Sequence, residues 1–144
     1  MRKNEPSEDA RRTPYVPNET AHPWRRMVAI GDSFTEGIGD PEPGSPGGHR
    51  GWADRVAEVL SSQVSDFAYA NLAVRGKLIG QIVADQIEPA LALKPDLITF
   101  SAGGNDVIRP GSDPDAVAQQ FEDAVVRLSS TGATLVLFTG IDTE

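Results

Sequence analysis

Short, largely apolar runs alternate along this chain with stretches in which apolar residues return every third or fourth position. The runs are 27–30 (M-V-A-I), 67–72 (F-A-Y-A-N-L), 96–101 (D-L-I-T-F-S) and 133–138 (A-T-L-V-L-F). Runs of this length, bounded by turn-forming residues, read as strands, the first and the last of them buried. Between them, Trp52, Val56, Val59 and Leu60 share one helical face. Leu78, Ile79, Ile82, Val83 and Ile87 share a second, and Val117, Phe121, Ala124, Val125 and Leu128 a third. Pro89 is expected to break or restart the second of these helices. Asp113-Pro114 starts the third, with Asp as N-cap and Pro at the first helical position, and Gly132 ends it. Strands alternating with helices make βαβ units, whose right-handed crossovers build a parallel sheet covered on both faces. The pattern predicts an α/β fold in three layers, α/β/α.

Composition narrows this picture. A length of 144 residues suits one domain. Residues 1–25 mix Arg, Glu, Asp and Pro without apolar clustering, and are expected to form a disordered tail before a domain over 26–144. The chain has no cysteine, which excludes disulfides and thiolate metal sites. The formal net charge is −8, but residues 1–26 carry six basic and four acidic side chains, leaving seven basic and seventeen acidic beyond them. So acidic a domain disfavours nucleic acid and anionic lipid as partners, and favours small neutral or cationic substrates. No stretch resembles a signal peptide or a membrane span, and the default expectation is a cytoplasmic protein.

The candidate chemistry lies where strands end. In open α/β sheets ligands gather at the carboxyl edge, where loops and helix amino termini converge. Ser33 follows the first run, Gly76 the second and Asn105 the third, at separations compatible with βαβ units. Acyl transfer by serine needs a hydroxyl nucleophile and donors aimed at the oxyanion that develops on the attacked carbonyl. A glycine supplies an unobstructed N–H, an asparagine side chain a second donor, and the nucleophile's own N–H a third. Taken singly, each has a plainer reading: Gly-Asp-Ser as a turn, Gly76 as a turn glycine, Asn105 as a cap. Trp52 reads as a core or interface anchor, and Arg75 and Lys77 as solvated loop charges or as a greeting for an anionic substrate.

Gly31-Asp32-Ser33 with the following F-T-E-G, Gly76 within N-L-A-V-R-G, and Gly103-Gly104-Asn105-Asp106 together resemble the blocks of the GDSL/SGNH hydrolase family, from Met27 onward. The resemblance implies a flavodoxin-like α/β/α fold and a serine esterase, lipase, thioesterase or carbohydrate deacetylase with no required cofactor. It implies Ser33 as nucleophile, and the N–H groups of Ser33 and Gly76 with the Asn105 amide as oxyanion hole. Asp32 would shape the loop and not serve as triad acid. The family's final Asp-x-x-His block, which supplies the triad Asp and His, is not present. The two histidines, His22 and His49, lie in the expected tail and in the Gly/Pro-rich loop 37–51. His49 reads as a solvated loop residue, with a swing toward Ser33 as the alternative. The expectation is therefore a chain lacking its last strand and helix, poorly active or inactive by itself. In a sheet of order 2-1-3-4-5 this leaves Thr134 to Phe138 as an apolar edge inviting self-association. Two other readings stay open: a catalytically dead binding or regulatory relative, and a flavodoxin-like nucleotide-binding domain. Asp32, Glu36 and the lack of a phosphate-loop motif speak against the second.

Overall fold

Four parallel strands, in the order β2-β1-β3-β4, carry the computed structural model of the chain, which describes residues 22–138. They are β1 (Arg26–Gly31), β2 (Ala68–Asn71), β3 (Leu97–Ser101) and β4 (Thr134–Leu137). A one-turn helix, α1 (Ser33–Glu36), leaves β1, and α2 (Trp52–Gln63) leads to β2. Helix α3 (Ile79–Ala92) leads to β3, and a second one-turn helix, α4 (Gly104–Val107), is followed by α5 (Pro114–Ser129), which leads to β4. The expected α/β/α architecture and the 2-1-3-4 order are both observed.

Strand alternation divides the core in two. Val28, Ile30, Ile98 and Phe100 point to the face covered by α3 and α5, where they meet Ile79, Ile82, Ile87, Ala90, Ala124 and Leu128. Met27, Ala29 and Leu97 point the other way, against Ala53 and Ala57 of α2. The sequence placed Val56 and Val59 on the buried face of α2, but both are exposed. The small side chains of Ala53 and Ala57 let the helix lie close to the sheet, so the alanine stripe is the one that packs, with Trp52 and Leu60 flanking it. One other expectation is corrected. Helix α3 runs through Pro89 without a break, because Ile87 and Ala90 on either side of it are fully buried and hold the helix across the missing hydrogen bond. Strand β4 is the outer strand among the described residues, the edge position expected for Thr134 to Phe138, with Val136 and Leu137 exposed.

The described chain begins four residues before the domain start expected at 26. The Arg25 and Arg26 amides both donate to the Asp96 carboxylate, at 2.8 and 2.9 Å, and Trp24 Nε1 donates to Thr134 Oγ1. The rest of the expected tail, 1–21, and residues 139–144 lie outside the described residues.

Candidate functional site

The sheet's carboxyl edge is built from β1 outward. Gly31 closes the strand opposite Ser101 of β3, and a side chain there would stand 2.5 Å from the Ser101 carbonyl oxygen. Asp32 follows as the N-cap of α1, its carboxylate accepting from the Phe34 amide at 3.2 Å. Ser33 is thereby the first helical residue, and its N–H has no carbonyl one turn back to pair with. Asp32 is nearly buried. Burial raises its carboxyl above the usual value near 3.8, the Phe34 N–H opposes the rise, and the charge of Asp106 adds to it. Helix α1 ends at Gly37 in the left-handed region, and Gly37 and Gly51 approach so closely that a Cβ on Gly51 would lie 2.6 Å from the Gly37 Cα. The loop between them, expected to be irregular, is bonded to itself: Arg50 donates to the Asp40 carbonyl, Glu42 to that of Gly48, and Pro41 and His49 form an antiparallel bridge.

The second loop is laced to the first. Asn71, at the end of β2, donates from Nδ2 to the Thr35 carbonyl of α1 (2.9 Å) and accepts the Ala73 amide on Oδ1 (3.0 Å). The Val74 amide donates to the Gly31 carbonyl, and the Arg75 amide to the Glu36 carboxylate at 2.6 Å. Gly76 then takes φ +73°, a left-handed conformation that suits glycine, with open space where a Cβ would stand. On its other side, the Lys77 carbonyl accepts from Asn105 Nδ2 at 3.1 Å. Gly76 is thus bracketed by hydrogen bonds, one to the helix that Ser33 starts and one to the Asn105 side chain. The third loop is fixed in turn, because Asp106 Oδ1 accepts the Ile79 amide at the start of α3 (2.8 Å). Arg75 and Lys77, which the sequence left between solvation and substrate greeting, are each paired within the chain, to Glu36 and to Asp85.

Neither histidine hydrogen-bonds to Ser33 among the described residues. His22 Nε2 lies 2.8 Å from the Leu60 carbonyl at the end of α2. His49 lines a cleft of about 550 Å³ with Arg50, Asp54, Glu58, Phe67 and Tyr69, in which Tyr69 donates to Asp54 at 2.7 Å. Burial and that carboxylate push the Tyr69 phenol far up. Trp52 packs at a tilt against Phe34 and Phe138, so the residue after Ser33, 54 % exposed, stands at the rim of an aromatic trio. Among the described residues no cluster of three or more metal-binding side chains occurs, and no helix is long and apolar enough to cross a membrane.

The residues that sequence reasoning missed are those that fix the loops. Asn71 and Asp106 lay inside recognised blocks but without assigned partners. Gln86 was passed over, though it carried a signal: it falls on the apolar stripe of α3, four residues after Ile82 and four before Ala90. Its amide is buried and bonds both backbone groups of Gly31, from the N–H at 2.8 Å and to the carbonyl at 2.9 Å.

A sequence model of the GDSL-like Lipase/Acylhydrolase family matches residues 29–143. The chain is 30 % identical over 89 residues to the uncharacterized protein YpmR of Bacillus subtilis, a match covering 58 % of this chain and 32 % of that protein. Similar solved structures include TesA (TM-score 0.65, 22 % identity, 78 % of this chain and 58 % of that one). LAE5, an α/β hydrolase enzyme from the metagenome of Lake Arreo, Spain, has TM-score 0.65 at 20 % identity, over 83 % of this chain and 62 % of that one. Axe2, an acetylxylan esterase from Geobacillus stearothermophilus, has TM-score 0.62 at 24 % identity, over 78 % and 58 %. At these identities the solved structures speak to the fold, and the chain spans about 60 % of their length and a third of YpmR.

Proposed function

This chain belongs to the GDSL-like lipase/acylhydrolase family, and from that premise we propose that it carries the nucleophile and oxyanion hole of a serine hydrolase acting on carboxylic esters of small molecules. The observation that carries the reading is the bracketing of Gly76 between the Ser33 helix and Asn105. In this reading Ser33 Oγ attacks the ester carbonyl carbon while its proton passes to a base. The carbonyl oxygen becomes an oxyanion held by the N–H groups of Ser33 and Gly76 and by the Asn105 amide. Asn105 Nδ2 has two hydrogens. One is committed to the Lys77 carbonyl, which orients the other. Collapse expels the alcohol, which takes the proton and leaves an acyl-Ser33 ester. Water then repeats the sequence and releases the acid.

The base is the part that the described residues do not supply. The positions of His22 and His49 favour a second reading, that these residues by themselves bind esters without turning them over. A nucleotide-binding role has less support, since the buried Asp32 and nearby Asp106 put negative charge where a phosphate would sit.

A fluorophosphonate offered to the folded protein, with imidazole added as an external base, separates these readings. The expected result is one adduct on Ser33, located by mass spectrometry, absent from Ser33→Ala and slowed about a hundredfold by Asn105→Ala. Folded protein that gains no adduct at Ser33 overturns the nucleophile. For partners, we read the edge that β4 forms among the described residues as a self-association surface. Val136→Lys is then expected to lower the mass seen by light scattering at high concentration, and a wild-type protein that stays monomeric there removes the idea.

A further inference from the structure

A buried glutamine in an apolar stripe loses rotamer freedom and hydration, and its amide must find partners to offset both. Gln86 is 3 % exposed, and both ends of its amide are spent on a single residue, Gly31. The reason is visible in the register. Strand β2 pairs with β1 only as far as Asn71 opposite Ala29, so beyond that point β1 has lost its neighbour on that side. The Leu72 and Val74 amides still reach the Ala29 and Gly31 carbonyls, but the Gly31 N–H is left without a strand to accept it. Gln86 Oε1 accepts it, and Gln86 Nε2 shares the Gly31 carbonyl with Val74. On the other side of Gly31 the Ser101 carbonyl leaves no room for a Cβ.

We propose that Gln86 is a positioning residue for the acyl-transfer site: by clamping Gly31 it fixes where Ser33 stands relative to the loop that presents Gly76. Asp32 alone separates the clamp from Ser33, and its carboxylate is tied to Phe34. The Gly31 carbonyl also anchors Val74, two residues before Gly76. One side chain from α3 therefore sets the nucleophile's turn and the donor's loop together. The inference rests on the serine reading above, and its test keeps the two apart.

The 144-residue chain is compared with Gln86→Met, Gln86→Glu and Ser33→Ala, each first shown to be folded by circular dichroism. Two quantities are read: the rate at which a fluorophosphonate labels Ser33, with imidazole present, and amide hydrogen exchange at Gly31, Ser33 and Val74. Gln86→Met keeps the volume and loses both bonds. It is expected to label about tenfold to a hundredfold more slowly, as small displacements of a reacting group do, with faster exchange at Gly31 and Val74. Gln86→Glu keeps the acceptor and regains the donor only when protonated, so its rate relative to wild type is expected to recover as pH falls. Asp32 and Asp106 are the carboxylates beside this junction, and both are present in each of the proteins compared. A Gln86→Met protein that labels at the wild-type rate overturns the clamp. Should wild type label no faster than Ser33→Ala, the serine reading fails, and exchange decides the clamp: unchanged rates at Gly31 and Val74 refute it, faster ones support it. If Gln86→Met does not fold, the pH ratio of Gln86→Glu decides, and a flat ratio refutes it.

Discussion

The two faces of the sheet are packed by different means. On one, two helices bring large aliphatic side chains onto Val28, Ile30, Ile98 and Phe100, and Phe100 stacks on Phe121 of α5 at 4.9 Å between ring centres. On the other, a single helix meets Met27, Ala29 and Leu97 through Ala53 and Ala57, and the outer strand β4 is left with Val136 exposed. The first face works by volume, the second by closeness. The difference matters for the candidate site, because α1 and the Gly37–Gly51 contact lie at the head of the close-packed side, whereas the Gln86 clamp and the Asp106 cap reach the site from the side packed by volume.

If volume carries the first face, emptying it is the most damaging change available. Phe100→Ala removes a fully buried ring, and a loss of about 3–5 kcal/mol is expected from the denaturation midpoint. A loss under 1 kcal/mol would mean that this face is not the main core. If closeness carries the second face, filling it should do harm. Ala57→Leu is expected to cost about 1–3 kcal/mol by pushing α2 off the sheet, although it adds apolar surface; a stabilised variant would show the face to be loosely packed.

The smallest effect tests the junction between the faces. Because burial holds the Asp32 carboxyl above 3.8, the folded protein binds that proton more readily than the unfolded chain does. Stability is therefore expected to fall as pH rises from about 3.8 through the raised value, and the folded state carries the penalty at neutral pH. Asp32→Asn keeps a capping oxygen and removes the charge. It is expected to melt higher than wild type at pH 7, with the gap closing below pH 3.8. A gap that does not vary with pH would locate the effect elsewhere.

What could be read from the chain divides along the same line as the packing. The volume-packed face was legible, because Ile79, Ile82, Ile87 and Leu128 announce themselves by size and period. The close-packed face was not: Ala53 and Ala57 carry little hydrophobic signal, and the larger Val56 and Val59 drew the stripe toward the wrong side. The same holds at the site. Ser33, Gly76 and Asn105 could be proposed because their chemistry is distinctive and their order along βαβ units fixes which edge they share. Their braces were not, since Glu36, Asn71, Gln86 and Asp106 act on backbone groups that no sequence displays. Only Gln86 left a mark, as an amide interrupting an apolar stripe.

Gly37 and Gly51 touch through bare backbone, and the thirteen residues between them bond largely to one another. A segment whose two ends meet exerts little pull on what lies outside it, and lengthening it adds only slowly to the entropy of closing it. This stretch is thus a closed loop mounted beside the serine turn on the two glycines, with the Arg50–Glu58 and Glu42–Arg55 ion pairs linking it to α2. Changes in the length and content of this loop have a place to occur that leaves the carboxyl edge of the sheet alone.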